Sequence, residues 1–419
     1  MKNLLRNLDL YQLPFKSFVL LLCLISIGTN ATVFLIQPSQ NSYEEIQEAL
    51  IIAQPGDVVR LTAGRFYLAD SLSLDVDGVT LEGEGRDVTI LDFSNQLSGA
   101  QGLSVTSNDV RLLDFGVENA KGDAIKAKGS NNIHFVRVRT EWTNGPDSKN
   151  GAYGLYPVES ENVLIDDCVA IGASDAGIYV GQSKNIIVRN SLAKHNVAGI
   201  EIENSYYADV HDNLAIENTG GILVFDLPDL PQQGGHHVRV FQNRVVNNNT
   251  PNFAPEGNIV GEVPSGTGIM IMANSFVEIF ANTIENNGTT GLAIVSYADE
   301  YEDANYYPHP KSIQIHDNSY INNGRNPDIR SNELARILFN LSDQNMADIF
   351  WDGMLPLPQM VFGQPENEKI IINEAPETSL IVLDPIKYLL PFFNPIKTDH
   401  SEFRGTLKSL EAVEIDAIL

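Results

Sequence analysis

Glu201 and Glu203 stand two residues apart in the run Gly199-Ile200-Glu201-Ile202-Glu203, and residues two apart in a β-strand point to the same face. Two carboxyl groups so placed can divide general acid and base work on a glycosidic bond, one holding a proton and the other ionised. Lys126, Tyr156 and Tyr179 occupy the matching place in earlier copies of the same pattern. Phenol rings beside carboxylates offer a sugar a face to stack on and groups to hold its hydroxyls. A long insertion follows, with Asp226-Leu227-Pro228-Asp229 at one end and His236-His237 at the other. The expected site therefore has Glu201, Glu203, Asp226 and Asp229 as reacting groups. Lys126, Tyr156, Tyr179, His236 and His237 are its binding groups. The competing reading of the row is an ordinary solvated sheet face.

Other chemistries need other residues. Elimination or epimerisation of a uronic acid removes a proton alpha to a carboxylate, and needs a base together with a cation that neutralises the substrate. Arg189, His211 and Arg239 lie on the outer side of a different strand and mark an alternative groove. Asp166, Asp167, Asp209 and Asp212 fall on neighbouring copies of the repeat and make Ca2+ a candidate ion, although no Asp-rich nonapeptide repeat is present. The adjacent pair His236-His237 invites a transition metal, but neighbours in a loop are a weak ligand pair. Ca2+ is the one candidate cofactor these patterns offer, and no metal ligands are assigned. Two further long insertions, 248–267 and 297–310, are placed to wall a groove, because the repeat itself needs neither.

Positioning these residues is the work of a repeat. One column reads Leu112, Phe135, Ile165, Val188, Val210, Val240, Ile279 and Ile315, with steps of 22 or 23 where no insertion intervenes. A second reads Gly154-Leu155, Gly177-Ile178, Gly199-Ile200, Gly221-Ile222, Gly268-Ile269 and Gly291-Leu292. Short alternating strands at this period define a stacked β-coil, which buries its apolar face only against the next coil. A leucine-rich solenoid has a similar period but would show a ladder of leucines, and these columns are rich in Ile, Val, Asn and Gly. Ser191, Asn213, Asn243, Asn282 and Asn318 recur three residues after the first column. Asn suits a left-handed corner, and stacked amides can bond from coil to coil. Cys168 shares that column and reads as a small turn residue. Residues 43–53 have helical spacing after Ser42, the expected N-cap, and would plug the open end of the stack.

The cap helix, the turn Pro55-Gly56-Asp57-Val58 and the Asn/Gly coils together resemble the pectin-lyase-like right-handed parallel β-helix proteins. Within them, the segment from Gly172 to Gly181, with Gly199-Ile200-Glu201-Ile202-Glu203-Asn204 and Gly220 to Pro228, is similar to an exported bacterial group of undefined activity. The resemblance covers most of residues 36–325. It implies an all-β, single-stranded right-handed parallel β-helix with an N-terminal cap helix and a C-terminal cap segment. Lyases, hydrolases, epimerases and non-catalytic binders all use that scaffold. Alginate epimerases of this fold carry Asp-Pro-His-Asp. Here Asp226-Leu227-Pro228-Asp229 lacks the His, so that assignment does not transfer.

Lys2, Arg6 and Lys16, the apolar run Phe18 to Ile27, and small or polar residues up to Ala31 have the order of a signal peptide. The run is too short to span a membrane, which takes roughly 20 apolar residues. We therefore expect a signal peptide over 1–31, the β-helix with its cap over 32–330, a cap and tail over 331–419, and a periplasmic or secreted protein without stable membrane insertion. The formal charge of −27 excludes nucleic acid as the expected partner, since such binding needs basic surface. Cys168 is the single cysteine after the leader, so the core must hold without an internal disulfide. Three functions are open on the sequence: modification of extracellular or envelope polysaccharide by a lyase or epimerase type of reaction, non-catalytic glycan binding, and an accessory role in periplasmic metal or redox assembly.

Overall fold

A computed structural model describes residues 31–329, 346–390 and 392–415, with isolated positions 336 and 340. The leader read over residues 1–31 lies outside the described residues except for Ala31.

The repeat winds into three parallel sheets. Sheet A runs through Asn131–Val136, Glu161–Asp166, Lys184–Arg189, Tyr206–His211, His236–Phe241, Ser275–Phe280 and Lys311–His316. A two-residue corner leads to sheet B, of three-residue strands such as Leu214–Ile216. A second turn leads to sheet C, through Asp123–Lys128, Tyr153–Val158, Ala176–Gly181, Ala198–Glu203, Gly220–Phe225, Thr267–Met272 and Thr290–Val295. Both columns keep register from coil to coil: Ile165, Val188 and Val210 pair in sheet A, and Ile178, Ile200 and Ile222 in sheet C. All are fully buried in one core that runs the length of the stack. Each buried aliphatic side chain of this kind contributes about 1.5–3 kcal/mol.

Side chains tie the corners of the later coils. Asn243 Oδ1 accepts from N and Nδ2 of Asn213, both at 3.0 Å, while its own Nδ2 donates to the Val210 carbonyl at 2.8 Å. A second amide ladder, through Asn196, Asn218, Asn248, Asn287 and Asn323, ties the turn from sheet B to sheet C. Serines tie the turn from C to A: Ser183 N donates to Ser205 Oγ at 3.0 Å, and Ser160 N to Ser183 Oγ at 3.0 Å. The left-handed residue at the first corner is the one before the ladder, as at Asp167, Asn190, Asp212 and Gln242. The ladder Asn itself is not left-handed, because its work is to satisfy buried backbone groups.

The N-terminal helix α1, Ser42–Ile52, buries Ile46, Ala49 and Leu50 against the first coil. Its N-cap is Asn41, one residue earlier than expected. The Ser42 hydroxyl instead exchanges bonds with Ser39, accepting from its N and donating to its O. At the other end, Ile349–Trp351 and Leu380–Leu383 extend sheet C and Ile370–Asn373 extends sheet A. Sheets A and C thus receive strands from the C-terminal part of the chain, while sheet B ends with Ser319–Ile321. Among the described residues no helix is long and apolar enough to cross a membrane.

Candidate functional site

The row read from the sequence exists as a register. Lys126 pairs with Tyr156, the Leu155–Ile178 pair sets Tyr156 beside Tyr179, and Tyr179, Glu201, Leu223, Met270 and Ala293 follow coil by coil. The next outward position carries Gly181, Glu203, Phe225 and Met272.

Its surroundings differ from the expected strip of solvent. Glu201 is 1% exposed and Tyr179 4%. The 248–267 insertion folds onto the sheet, and Val260 and Val263 pack with Tyr179, Leu223, Phe225 and Met270 in a second apolar cluster outside the coil. An insertion rich in apolar residues covers the row because Leu223, Met270 and Ala293 would otherwise face water.

Within this cover lies a group of carboxyls. The Glu201 and Glu203 carboxyls lie near one another, and each acts on the other's ionisation. Tyr179 Oη donates to Glu203 Oε1 at 2.6 Å. Asp175, just ahead of strand Ala176–Gly181, accepts from Asn258 Nδ2 of the covering insertion at 3.3 Å. Burial holds Glu201 well above the usual carboxylate range and pushes Asp175 and Glu203 up to about 7. Repulsion adds to burial: Asp175 and Glu203 act on Glu201, Glu203 on Asp175, and Asp226 on Glu203. Glu201 Oε2 has no hydrogen-bond partner. Such acids stay protonated near neutrality and can donate to a leaving oxygen.

The less buried edge of this group is aromatic. Tyr153, Tyr156 and Tyr179 meet with ring centroids 4.4, 4.5 and 5.0 Å apart, and Lys126 Nζ lies 4.5 Å from the centre of the Tyr156 ring. Tyr153 and Tyr156 are half-buried, as is Lys126. Burial also pushes Asp123 up to about 6, against the opposing pull of Lys126.

Asp123, Tyr153 and Asp175 escaped the sequence reading. Strict alternation assigns Tyr153 away from Tyr156's face. In the fold Gly177 and Ile178 both pack inward, the glycine so closely that a Cβ would stand 2.5 Å from the Asn196 amide. The residue ahead of each glycine therefore returns to the outer face.

Asp226 belongs to the group: its Oδ1 accepts from Gly235 N at 2.7 Å, and burial pushes it up to about 6. Asp229 does not; it is exposed in a left-handed turn and accepts from Glu302 N at 3.4 Å, because the insertion bends outward after Pro228. His236 and His237 open a sheet A strand, so they leave the Glu201 row by one face of the coil. Their Nδ1 atoms lie 2.8 Å apart, and burial lowers both below the usual histidine range, His236 to about 4.

The calcium and alternative-groove residues are engaged with one another. Asp166 bonds Arg189, Asp209 bonds Arg239, Asp167 bonds Arg86, and Asp212 bonds His211. Among the described residues no group of three or more acidic, His or Cys side chains is arranged to hold a metal ion.

A β-coil of three parallel sheets with one sheet face built over by insertions defines a class. The family described as the right handed beta helix region matches residues 77–229 and 148–333, and the chain belongs to it. No curated protein matches the sequence. Among solved structures, DFA-IIIase from Arthrobacter chlorophenolicus A6 in complex with GF2 is similar with a TM-score of 0.50 and 10% identity, over 76% of this chain and 92% of that one. The A-module of the mannuronan C-5 epimerase AlgE4 from Azotobacter vinelandii gives 0.48 and 16%, over 74% and 87%. The alginate lyase from Paenibacillus sp. str. FPU-7 gives 0.46 and 13%, over 69% and 95%. At these identities the likeness is one of fold, and function must be argued from the site.

Proposed function

We propose that this is an exported protein that binds polysaccharide over the outer face of sheet C and modifies it by acid–base chemistry on Glu201 and Glu203. The observation that carries the reading is the pair of buried carboxyls two positions apart on one strand, with the Tyr179 hydroxyl bonded to Glu203. One acid that keeps its proton beside one that gives it up is the division of labour glycosidic cleavage needs. Tyr153 and Tyr156 supply the stacking surface. In the described conformation Asn258, Val260 and Val263 cover the acids, so substrate enters when the 248–267 insertion swings away from the sheet.

The charge around the site favours a neutral glycan. Asp123, Asp175, Glu201, Glu203 and Asp226 form a chain of interacting carboxyls, and the Lys126 ammonium, which lies over Tyr156, acts on Asp123 at its edge. Elimination or epimerisation of a polyuronate would place a further carboxylate among them, with that ammonium alone to neutralise it. A non-catalytic glycan-binding role is the second reading, and the near-complete burial of Glu201 supports it.

Mature protein incubated with neutral glycans and polyuronates, with and without calcium, separates these. The proposal expects shorter neutral chains, no unsaturated product, and a loss of about 10²-fold or more in Glu203→Gln. Unsaturated product from a polyuronate would replace hydrolysis with elimination. Binding that Tyr156→Ala weakens, without any product, would establish the non-catalytic role.

A further inference from the structure

A further cavity lies on another face. It has a volume of about 530 Å³ and lies against sheet A, between Tyr207, His237 and Phe276 on one side and the segment Leu407 to Glu414 on the other.

The three aromatic residues hold equivalent positions on successive coils, since their neighbours Tyr206, His236 and Ser275 pair in register. All three are left-handed, with φ of 58°, 59° and 52°. Earlier coils place Asn132, Asn162 and Asn185 at this position and the following coil Ser312, again with positive φ. Asn accepts this backbone readily, whereas a bulky aromatic residue there is a genuine outlier. The stack therefore tolerates strain at Tyr207 and Phe276, on either side of His237, to present rings. Tyr207 is 46% exposed and Phe276 38%. His237 bridges them, with centroids 5.1 Å from Tyr207 and 4.9 Å from Phe276.

The opposite wall is the chain's own C-terminal segment. Leu407 N donates to Gln314 Oε1 at 2.8 Å, Leu410 N to Glu278 Oε2 at 3.0 Å, and Val413 N to Asp209 Oδ2 at 3.1 Å. Those three residues are half-buried while Lys408, Ser409, Glu411 and Ala412 stay exposed. Repeated every third residue, this pattern fixes the segment along the sheet and gives the cavity a second side.

We propose that this cavity is a second glycan-binding site, separate from sheet C, that takes a short neutral oligosaccharide. The exposed parts of the Tyr207 and Phe276 rings suit the apolar faces of sugar rings, and the volume is that of a small-molecule site. Glu278, Glu411 and Glu414 line it against Lys408, so an anionic sugar meets net repulsion.

The test is calorimetric titration of the mature full-length chain with cellohexaose, laminarihexaose and hexagalacturonate. The comparison is with a Tyr207→Asn/Phe276→Asn double variant, which restores the residue that earlier coils use. The proposal expects a neutral hexasaccharide to bind, the double variant to lose about tenfold or more of that affinity, and its melting temperature to stay level or rise. Glu203→Gln and Tyr156→Ala, on sheet C, should leave this binding in place, so failure of one site does not mask the other. Binding unchanged in the double variant, binding lost only through Tyr156→Ala, preference for hexagalacturonate, or no binding of any of the three would each overturn it.

Discussion

Tyr179 reaches Glu203, one coil away and two positions along, because Gly181 lies between them without a side chain. The phenol hydroxyl is 2.6 Å from Glu203 Oε1, and a Cβ on Gly181 would stand 2.3 Å from that hydroxyl and 2.4 Å from the ring edge. The glycine is thus part of the site through the space it leaves. Gly181→Ala should force the ring off Glu203 and destabilise the fold by about 1–3 kcal/mol, from overpacking and a lost bond to a buried carboxyl. Urea unfolding measures this. A variant as stable as the parent would show that the ring has room to move.

Stability should fall as the medium becomes basic. Asp175 and Glu203 are held at about 7, against ordinary values of 3.8 and 4.5. The folded state therefore keeps protons that the unfolded chain has released. That contribution is complete below the unfolded values and is lost as pH rises through about 7, with a size of a few kcal/mol. Melting temperature should drop from pH 5 to pH 8. The general repulsion of an acidic chain acts in the same direction, so the informative comparison is Glu203→Gln, which should flatten the slope. Parallel curves for variant and parent would remove Glu203 as a source.

Asn243→Ala should be among the most damaging single changes in the stack. It deletes the acceptor for two bonds from Asn213 and the donor to Val210, and strands buried partners at about 1–3 kcal/mol each. Asn243→Ser should cost less, because Ser191 fills the same column and its Oγ accepts from Cys168 N at 3.0 Å. Chemical denaturation of both variants checks the order; equal losses would mean that the hydroxyl gives no substitute.

Cys168 should be chemically silent. It is buried between coils, and burial pushes its thiol up to about 12. The folded protein should therefore show no reaction with a thiol reagent at pH 8 over a time in which the unfolded protein reacts fully. Cys168→Ser should keep fold and function. Rapid labelling of the native state would place an opening of the stack near this turn.

The coil, its register and its corner amides were legible in the residues, because each coil repeats the same local problem. An inward Ile, Leu or Val such as Ile178 or Val188 must meet its copy on the next coil, and a buried corner must find hydrogen-bond partners. The row Lys126, Tyr156, Tyr179, Glu201 and Glu203 followed from the same periodicity. Three things did not. The cover over the row comes from Val260 and Val263, whose partners are set by how an insertion folds back and not by any repeat. Tyr153 and Asp175 joined the site because two successive residues turn inward at each glycine, which simple alternation hides. The segment from Leu407 to Val413 found Gln314, Glu278 and Asp209 only once the coils had placed those side chains in line. Sequence alone decided what repeats, since local sterics and burial act identically in every coil. Tertiary structure decided which outer face is closed and which is open, since that depends on contacts between segments that share no period.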